Sequence, residues 1–438
     1  MPEQPVSAPT FSTTPQTAPP VSRRAVVSGA IGNALEWYDF SVYGYLAVPI
    51  SRVFFPGHSA QLLLTFATFG VGFLMRPVGS IVLGHFGDRL GRRPALLFTV
   101  GVMSASTFLV GVLPSYAVAG ILAPVLLVIL RLIQGFSAGG EWGGSASFLV
   151  EFARPGRRGL TGSLQQFTTV IGLLAGAAAG TAVTLGMSQA DLDSWGWRLP
   201  FLVGILLGGV AVYLRLRVPD TPRYEKLEEA DNVARYPLVE IFRTVRADMA
   251  RLFGLTIVWT VVYYVFLTYL PTYLEKDAGF SSSFSLVATM IELAFLAVLI
   301  PFMGLLSDKI GRKRMLLASC VLYAVLPYPL FLAIRSSEHS QALVIVVVLV
   351  LAASVSLFSG PGPAAVSEMF PTRIRYSALS VPYNVSTAIF GGFAPFIATA
   401  LIQATGDGLS MTFYVIAAAI VSFVSILTLR DRSKEELR

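Results

Sequence analysis

Apolar runs long enough to cross a lipid bilayer recur about a dozen times along this chain, and nothing else in it restricts the fold so strongly. They predict helices at 25–50, 61–86, 94–113, 118–150, 161–186, 197–217, 250–275, 284–307, 314–335, 341–367, 376–404 and 411–430. Composition agrees. Of 438 residues, 54% are apolar and only 13% charged, with a mean hydropathy of +0.69. A soluble chain carries about a quarter charged residues. Residues 1–22, with six prolines among Ser, Thr and Gln, have no apolar periodicity and read as a disordered cytoplasmic tail. They lack the apolar core and small-residue cleavage site of a secretory signal. The lone cysteine, Cys320, can form no internal disulfide and has no metal-ligand spacing around it.

The net charge of +7 would suit a nucleic-acid partner if it lay on one surface, but its placement says otherwise. Of 32 Lys and Arg, 26 fall in the tails and alternate loops, all on one side of the membrane if both termini share that side. Only Arg52, Lys276 and Arg335 fall opposite, and Arg76, Arg131 and Arg198 lie at or within membrane depth. The positive-inside rule therefore puts both termini in the cytoplasm. The basic excess is a topology signal, and no nucleic-acid role is expected.

The chain also repeats itself. Gly84-His-Phe-Gly-Asp88-Arg89-Leu-Gly91-Arg92-Arg93 follows helix 2, and Gly304-Leu-Leu-Ser-Asp308-Lys309-Ile-Gly311-Arg312-Lys313 follows helix 8, 220 residues later. Glu151 with Arg158 after helix 4 recurs as Glu368 with Arg375 after helix 10, offset by 217. Two landmarks at nearly one offset imply a duplicated six-helix unit, as in many secondary transporters. The expected fold class is an all-α polytopic membrane protein with twelve transmembrane helices in two pseudo-symmetric bundles. The expected organisation is a tail at 1–22, a first bundle at 23–217, a cytoplasmic linker at 218–249, a second bundle at 250–430 and a tail at 431–438.

Both Asp-Arg/Lys-x-Gly-Arg loops resemble the signature of the major facilitator superfamily. Arg131-Leu-Ile-Gln134-Gly135 and Asp220-Thr-Pro222-Arg223 look like its further signatures. Four more stretches narrow the resemblance to the metabolite:H+ symporter family, over about residues 25–430. They are Gly32-Asn33-Ala-Leu-Glu36-Trp37-Tyr38-Asp39-Phe40, Phe73-Leu-Met-Arg76-Pro77, Gln134-Gly-Phe-Ser-Ala-Gly-Gly-Glu141 and Trp195-Gly-Trp197-Arg198-Leu-Pro200. The resemblance implies the fold of that superfamily, no enzymatic activity, and carriage of a solute such as citrate, 2-oxoglutarate, shikimate, or proline and betaine. It implies that Asp88 and Asp308 brace each half against its own neighbouring helices and hold one face closed. Arg92 with Glu151, and Arg312 with Glu368, are the natural ion pairs of that gate. It also implies that Asp39 and Arg131 form the pair whose protonation couples transport to the proton gradient. The driving force would then be the gradient itself, with no cofactor and no metal.

Buried charges are the sharpest signal in the residues themselves, because an ionised side chain at the centre of a membrane helix costs roughly 2.5–3.5 kcal/mol. Glu36, Asp39, Arg76, Arg131, Glu141 and Glu292 meet that description. Glu36 and Asp39 share a face of helix 1 with Tyr43, and Arg131, Gln134 and Glu141 lie along one face of helix 4. Asp39, Glu36 and Glu141 are the proton-site candidates, or else members of buried structural pairs. Arg76 suits a carboxylate bidentately, or a pair with Glu36 or Asp39. Glu292 is a second titrating group or an interfacial acid. Arg198 reads as interfacial. Tyr43, Gln165, Gln166, Tyr263, Tyr264, Tyr383 and Asn384 are candidate cavity residues, each with packing as its ordinary alternative. Gly135, Gly139 and Gly143 form a small-residue stripe for close helix packing. His58, His85 and His339 fall near loops and suggest no proton relay.

The function this predicts is proton-coupled uptake of a small carboxylate-bearing metabolite, citrate or a dicarboxylate, across the bacterial inner membrane by a monomer. A proline/betaine-type compatible-solute symporter is the alternative. A drug/proton antiporter fits less well, since such sites carry fewer arginines. A nutrient sensor would need a long appended domain that the two short tails do not offer. The absence of a long C-terminal coiled coil argues against osmotic regulation. A membrane enzyme is not expected, because the Gly-rich loops lack the Gly-Lys-Ser/Thr of a nucleotide-phosphate cradle.

Overall fold

Membrane-length helices account for most of the described residues of the chain. The computed structural model describes residues 23–90, 92–151, 153–154, 156–216, 237–336, 340–371 and 374–437. In chain order the helices are α1 (Arg23–Tyr45), α2 (Gln61–Leu90), α3 (Arg92–Val112), α4 (Leu122–Glu151), α5 (Arg158–Gly186) and α6 (Gly196–Tyr213). They continue as α7 (Arg246–Lys276), α8 (Ser282–Ile310), α9 (Arg312–Arg335), α10 (Gln341–Ser367), α11 (Arg375–Thr405) and α12 (Ser410–Leu427). Ten of these are long and apolar enough to cross a membrane, α3 holds a shorter apolar stretch at Leu97–Val112, and the apolar run of α1 is broken by Glu36 and Asp39. The expected linker at 218–249 lies largely outside the described residues. Its last part forms a helix, Pro237–Thr244, and α7 begins before the linker was expected to end.

The packing repeats as the sequence does. In the first six helices α1 packs on α5, α2 on α4 and α3 on α6; in the last six, α7 packs on α11, α8 on α10 and α9 on α12. The two sets meet along two seams that the same symmetry relates, α5 against α8 and α2 against α11. These seams are tight because glycines let backbones touch. A Cβ on Gly159 would stand 2.3 Å from the Gly304 carbonyl, and one on Gly304 would stand 2.6 Å from the Gly159 carbonyl. Within the first set, α2 and α4 are as close, with a Cβ on Gly135 falling 1.6 Å from the Gly72 carbonyl and one on Gly139 falling 2.1 Å from that of Arg76. Gly143, the third member of the stripe, faces Ser380 of α11 instead.

Several helices are broken where the sequence removes a backbone donor or a side chain. The run expected at 25–50 divides at Leu46, and a second helix, Ala47–Phe54, follows. Helix α4 divides at Gly139–Gly140–Glu141, and α10 divides at Gly360–Pro361 before Gly362–Ser367. Helices α7 and α11 each contain a π-helical turn, Val265–Tyr269 and Thr387–Gly391. In α7 the cause is legible. Pro271 has no N–H to give the Leu267 carbonyl, and that carbonyl accepts the Tyr45 hydroxyl of α1 at 2.6 Å instead. Such turns concentrate at functional sites.

Candidate functional site

Two acid–arginine pairs are buried side by side in the first six helices. Glu36 and Asp39 stand about one turn apart on one face of α1, and each meets a different neighbour. Arg76 Nη2 donates to Glu36 Oε1 at 2.6 Å, and both side chains are almost wholly buried. The Arg76 guanidinium also lies over the rings of Phe40 and Phe73, 4.7 and 4.5 Å from their centroids. Its Nε and Nη1, and Glu36 Oε2, have no hydrogen-bond partner. Arg76 therefore adopts the pairing with Glu36 and keeps two donors in reserve.

Asp39 is more fully engaged. Its Oδ1 accepts from Thr107 Oγ1 at 2.6 Å and from Gln134 Nε2 at 2.8 Å, and its Oδ2 lies 3.3 Å from Arg131 Nη1. Arg131 is fully buried with its guanidinium 3.8 Å from the Tyr43 ring centroid, and Tyr43 donates to the Thr65 carbonyl. The expected Asp39–Arg131 pair is thus present, with Gln134 and Tyr43 as its supports. Thr107 on α3 was not foreseen. A single threonine in an apolar helix carries no signal of its own. Glu141, at the break of α4, is buried within electrostatic reach of Glu36.

Beside the Glu36–Arg76 pair, between the two helix sets, lies a narrow cavity lined by Trp37, Gln166, Trp259, Thr260, Tyr263, Tyr264 and Tyr383. About one water would fill it. Five of its seven walls are aromatic. Trp37 stacks on Tyr264 and meets Tyr263 edge-on, and Trp142 stacks on Tyr383 at 3.5 Å. The Trp37 indole N–H and the hydroxyls of Tyr263 and Tyr264 are buried without partners. Tyr264 and Tyr383 also lie within electrostatic reach of both Glu36 and Arg76. Of the candidate cavity residues, Gln166, Tyr263, Tyr264 and Tyr383 line this cavity. Gln165 lies beside Gln166 and accepts its amide, and Asn384 donates to the carbonyls of Gly139 and Ser380. Arg76, Arg131, Gln134 and Tyr43 belong to the acid–arginine pairs rather than to the wall. Trp37, Trp259 and Thr260 were missed as wall residues, since aromatic and hydroxyl side chains are ordinary in membrane helices.

At the end that carries the basic loops, the two helix sets are clamped together. Asp308 accepts from the backbone N–H groups of Gly159 and Leu160, at 2.8 and 3.0 Å, at the N-terminus of α5. Asp308 also accepts from Arg312 Nη2 of α9 at 2.8 Å, bracing its own half as expected, and it reaches across as well because α5 is the partner of α8 at the seam. Glu368 lies 3.3 Å from both Arg312 and Arg158, and Arg375 reaches Glu151 at 2.6 Å. The duplicated Glu and Arg landmarks therefore pair crosswise, each acid with the arginine of the other half. Burial pushes the Glu368 carboxyl up from the usual carboxylate range, against the pull of Arg312 and Arg158. The side chains of Asp88 and Arg92 lie outside the described ones. Tyr376 adds a hydrogen bond to the Gly140 carbonyl, and the segment after α12 lies over the clamp, where Arg158 donates to the carbonyls of Ser433 and Glu435. At the opposite end Tyr45 holds Leu267, Phe66 meets Tyr269 edge-on at 5.5 Å, and Gly70 lies against Phe393.

Arg198 donates to the carbonyls of Gly111 and Leu113 at the end of α3, a structural role. Glu292 is fully buried.

Known proteins resemble this chain over nearly all of it. Residues 25–431 match the model of a family described as sugar (and other) transporters. The proline/betaine transporter of Escherichia coli K12 is 35% identical over 430 residues, covering 95% of this chain and 85% of its own. The citrate-proton symporter of Klebsiella pneumoniae is also 35% identical, covering 94% of this chain and 93% of its own. Among solved structures, the proton:xylose symporter XylE, bound to 6-bromo-6-deoxy-D-glucose, superposes with a TM-score of 0.78 at 18% identity, over 94% of this chain and 97% of its own.

Proposed function

Because this chain belongs to the sugar (and other) transporter family of the major facilitator superfamily, and within it to the metabolite:H+ symporters, we propose that it couples proton entry to uptake of a zwitterionic compatible solute of the proline/betaine type. The carrying observation is the aromatic cavity between the helix sets, set against an acid–arginine pair. A quaternary or secondary ammonium is drawn to the faces of Trp and Tyr rings, by about 2 kcal/mol or more once desolvated. Arg76, with two unused donors, supplies a bidentate contact for the solute carboxylate when Glu36 releases it. The closed cavity holds about one water, so the solute enters as the two helix sets part, and one small molecule then meets both the rings and the guanidinium. The name of the E. coli relative supports this reading over the citrate-type solute expected from the arginines alone.

Proton coupling in this reading rests on Asp39. Ionised, it holds Arg131, Gln134 and Thr107; protonated, it loses the charge that keeps Arg131 in place. Glu36 and Glu141 lie nearby, so that the protonation of one changes the field at the others. By this reading the termini and the clamp of Asp308, Glu151 and Glu368 face the cytoplasm of a bacterial inner membrane, and no cofactor takes part. An organic acid is the second reading, favoured by Arg76 and Arg131, both buried beside the acids of α1, and by the citrate-proton relative.

Thermal shifts of the purified chain with glycine betaine, proline and citrate separate the two readings. Betaine or proline should stabilise it and citrate should not, and Trp37→Leu should remove the shift. Stabilisation by citrate alone would move the assignment to the organic acid. In proteoliposomes, Asp39→Asn should abolish accumulation driven by a pH gradient while leaving solute exchange.

A further inference from the structure

We infer that Glu292 of α8 is a second proton-carrying site, loaded and unloaded as the seam between the two helix sets opens. The inference builds on the proton-coupled reading but uses a residue that reading does not. Glu292 is fully buried, and neither of its carboxyl oxygens has a hydrogen-bond partner. Ten residues from Ser282, the first residue of α8, place it about 15 Å along the helix, well inside a bilayer core of about 30 Å. Among the other acids at such depth, Glu36 and Asp39 each hold a guanidinium; Glu292 holds none.

Nor do the surrounding elements offer a charge at that depth. Helix α10 contains no ionisable residue, and α5 contains none beyond Arg158 at its first position. On α7 the basic residues Arg246, Arg251 and Lys276, and the acids Asp248 and Glu275, lie toward its ends, leaving Tyr263, Tyr264, Tyr269 and Tyr273 within it. On α9 the basic residues lie at the ends, leaving Cys320, Tyr323 and Tyr328. From α1, Tyr45 lies within electrostatic reach of Glu292, with its own hydroxyl given to Leu267. An ionised carboxylate without a partner in such a place costs several kcal/mol. The neutral acid is the form this packing accepts.

Helix α8 is the element that crosses to α5 at one seam, and Tyr45 bridges α1 to the π turn of α7 at the opposite end. Alternating access must part these elements. Parting them admits water, and water alone makes ionisation affordable there. The step is a proton exchange: on one side an O–H bond forms on the carboxylate as one O–H bond of a hydronium breaks, and on the other side the acid gives the proton back to water by the reverse. Closing the seam again requires the neutral acid. Each transport cycle therefore moves a proton through Glu292 besides the one on Asp39.

Two experiments on the full chain test this. Dicyclohexylcarbodiimide reacts with protonated carboxyls in apolar surroundings. It should modify Glu292 of the wild-type protein near neutral pH, as read by peptide mass spectrometry; absence of that adduct overturns the inference without any variant having to fold. In proteoliposomes given glycine betaine or citrate as probe, Glu292→Gln should carry one proton fewer per solute than wild type, read from reversal potentials. An unchanged ratio overturns the role of Glu292 alone. A wild-type protein that moves no protons with either probe overturns the proton-coupled reading, and this inference with it.

Discussion

At the residue scale, this chain keeps charges where a bilayer penalises them, and it does so by pairing. Arg76 and Glu36 show the arithmetic. Each is almost fully buried, and the 2.6 Å contact is the one ionic partner either has among the described residues. Removing one member strands the other, which in buried pairs costs about 3–5 kcal/mol, whereas removing both is far cheaper. Arg76→Ala should therefore destabilise strongly, and the double variant with Glu36→Gln should recover more than half of the loss. Denaturant titration of the four proteins in one mild detergent gives the coupling. Additive losses would show that the pair contributes nothing as a pair. The charged members of the site were legible in the sequence because their cost at membrane depth makes them conspicuous. Asp39 with Arg131 was found that way. Thr107, Trp37 and Trp259 were not, because hydroxyl and aromatic side chains sit in membrane helices for many reasons and only their convergence gives them meaning.

At the element scale, the question is which irregularities the chain demands. The helix count and order could be read from apolar runs, and the ends moved by only a few residues. The division of α4 and α10 follows from glycine and proline pairs. The π turns were hidden, since they depend on where a freed carbonyl finds a new donor, as Leu267 finds Tyr45. Glycines separate the same two cases. Gly135 has no room for a side chain, with the Gly72 carbonyl 1.6 Å from where its Cβ would go, so Gly135→Ala must push α2 and α4 apart. Overpacking of this kind costs about 1–3 kcal/mol, and a backbone atom in the way puts the cost at the upper end. Gly101 of α3 faces nothing within 4 Å. Gly101→Ala should be neutral, or gain up to about 1 kcal/mol from helix propensity. Melting temperatures of the two variants, compared side by side, check the contrast; equal losses would mean that the close approach of α2 and α4 has no energetic weight.

For the whole molecule, transport requires that the clamp at the basic end and the contacts at the other end never release together. The clamp is built from crosswise pairs, Arg375 with Glu151 and Arg158 with Glu368, and from Asp308 on the amides of Gly159 and Leu160. Every one of these contacts exists only while the two helix sets are together at that end, so each biases the equilibrium between open and closed by its own strength. A buried hydrogen bond to a charged group is worth about 1.5–3 kcal/mol, and each 1.4 kcal/mol is tenfold in population. Asp308→Asn keeps the shape of the side chain but removes its charge and one acceptor. It should therefore shift the protein at least about tenfold toward opening at the basic end. Tyr45→Phe removes the hydroxyl that holds Leu267 and should shift it the other way, by a smaller factor. Spin labels placed across each end, in a background with the buried Cys320 replaced, report the two populations directly. The double variant should return toward the wild-type distribution, because the two changes act on opposite ends of one equilibrium. Independent loosening of both ends, with a leak of protons in place of a restored balance, would show that the halves do not move as coupled rigid units.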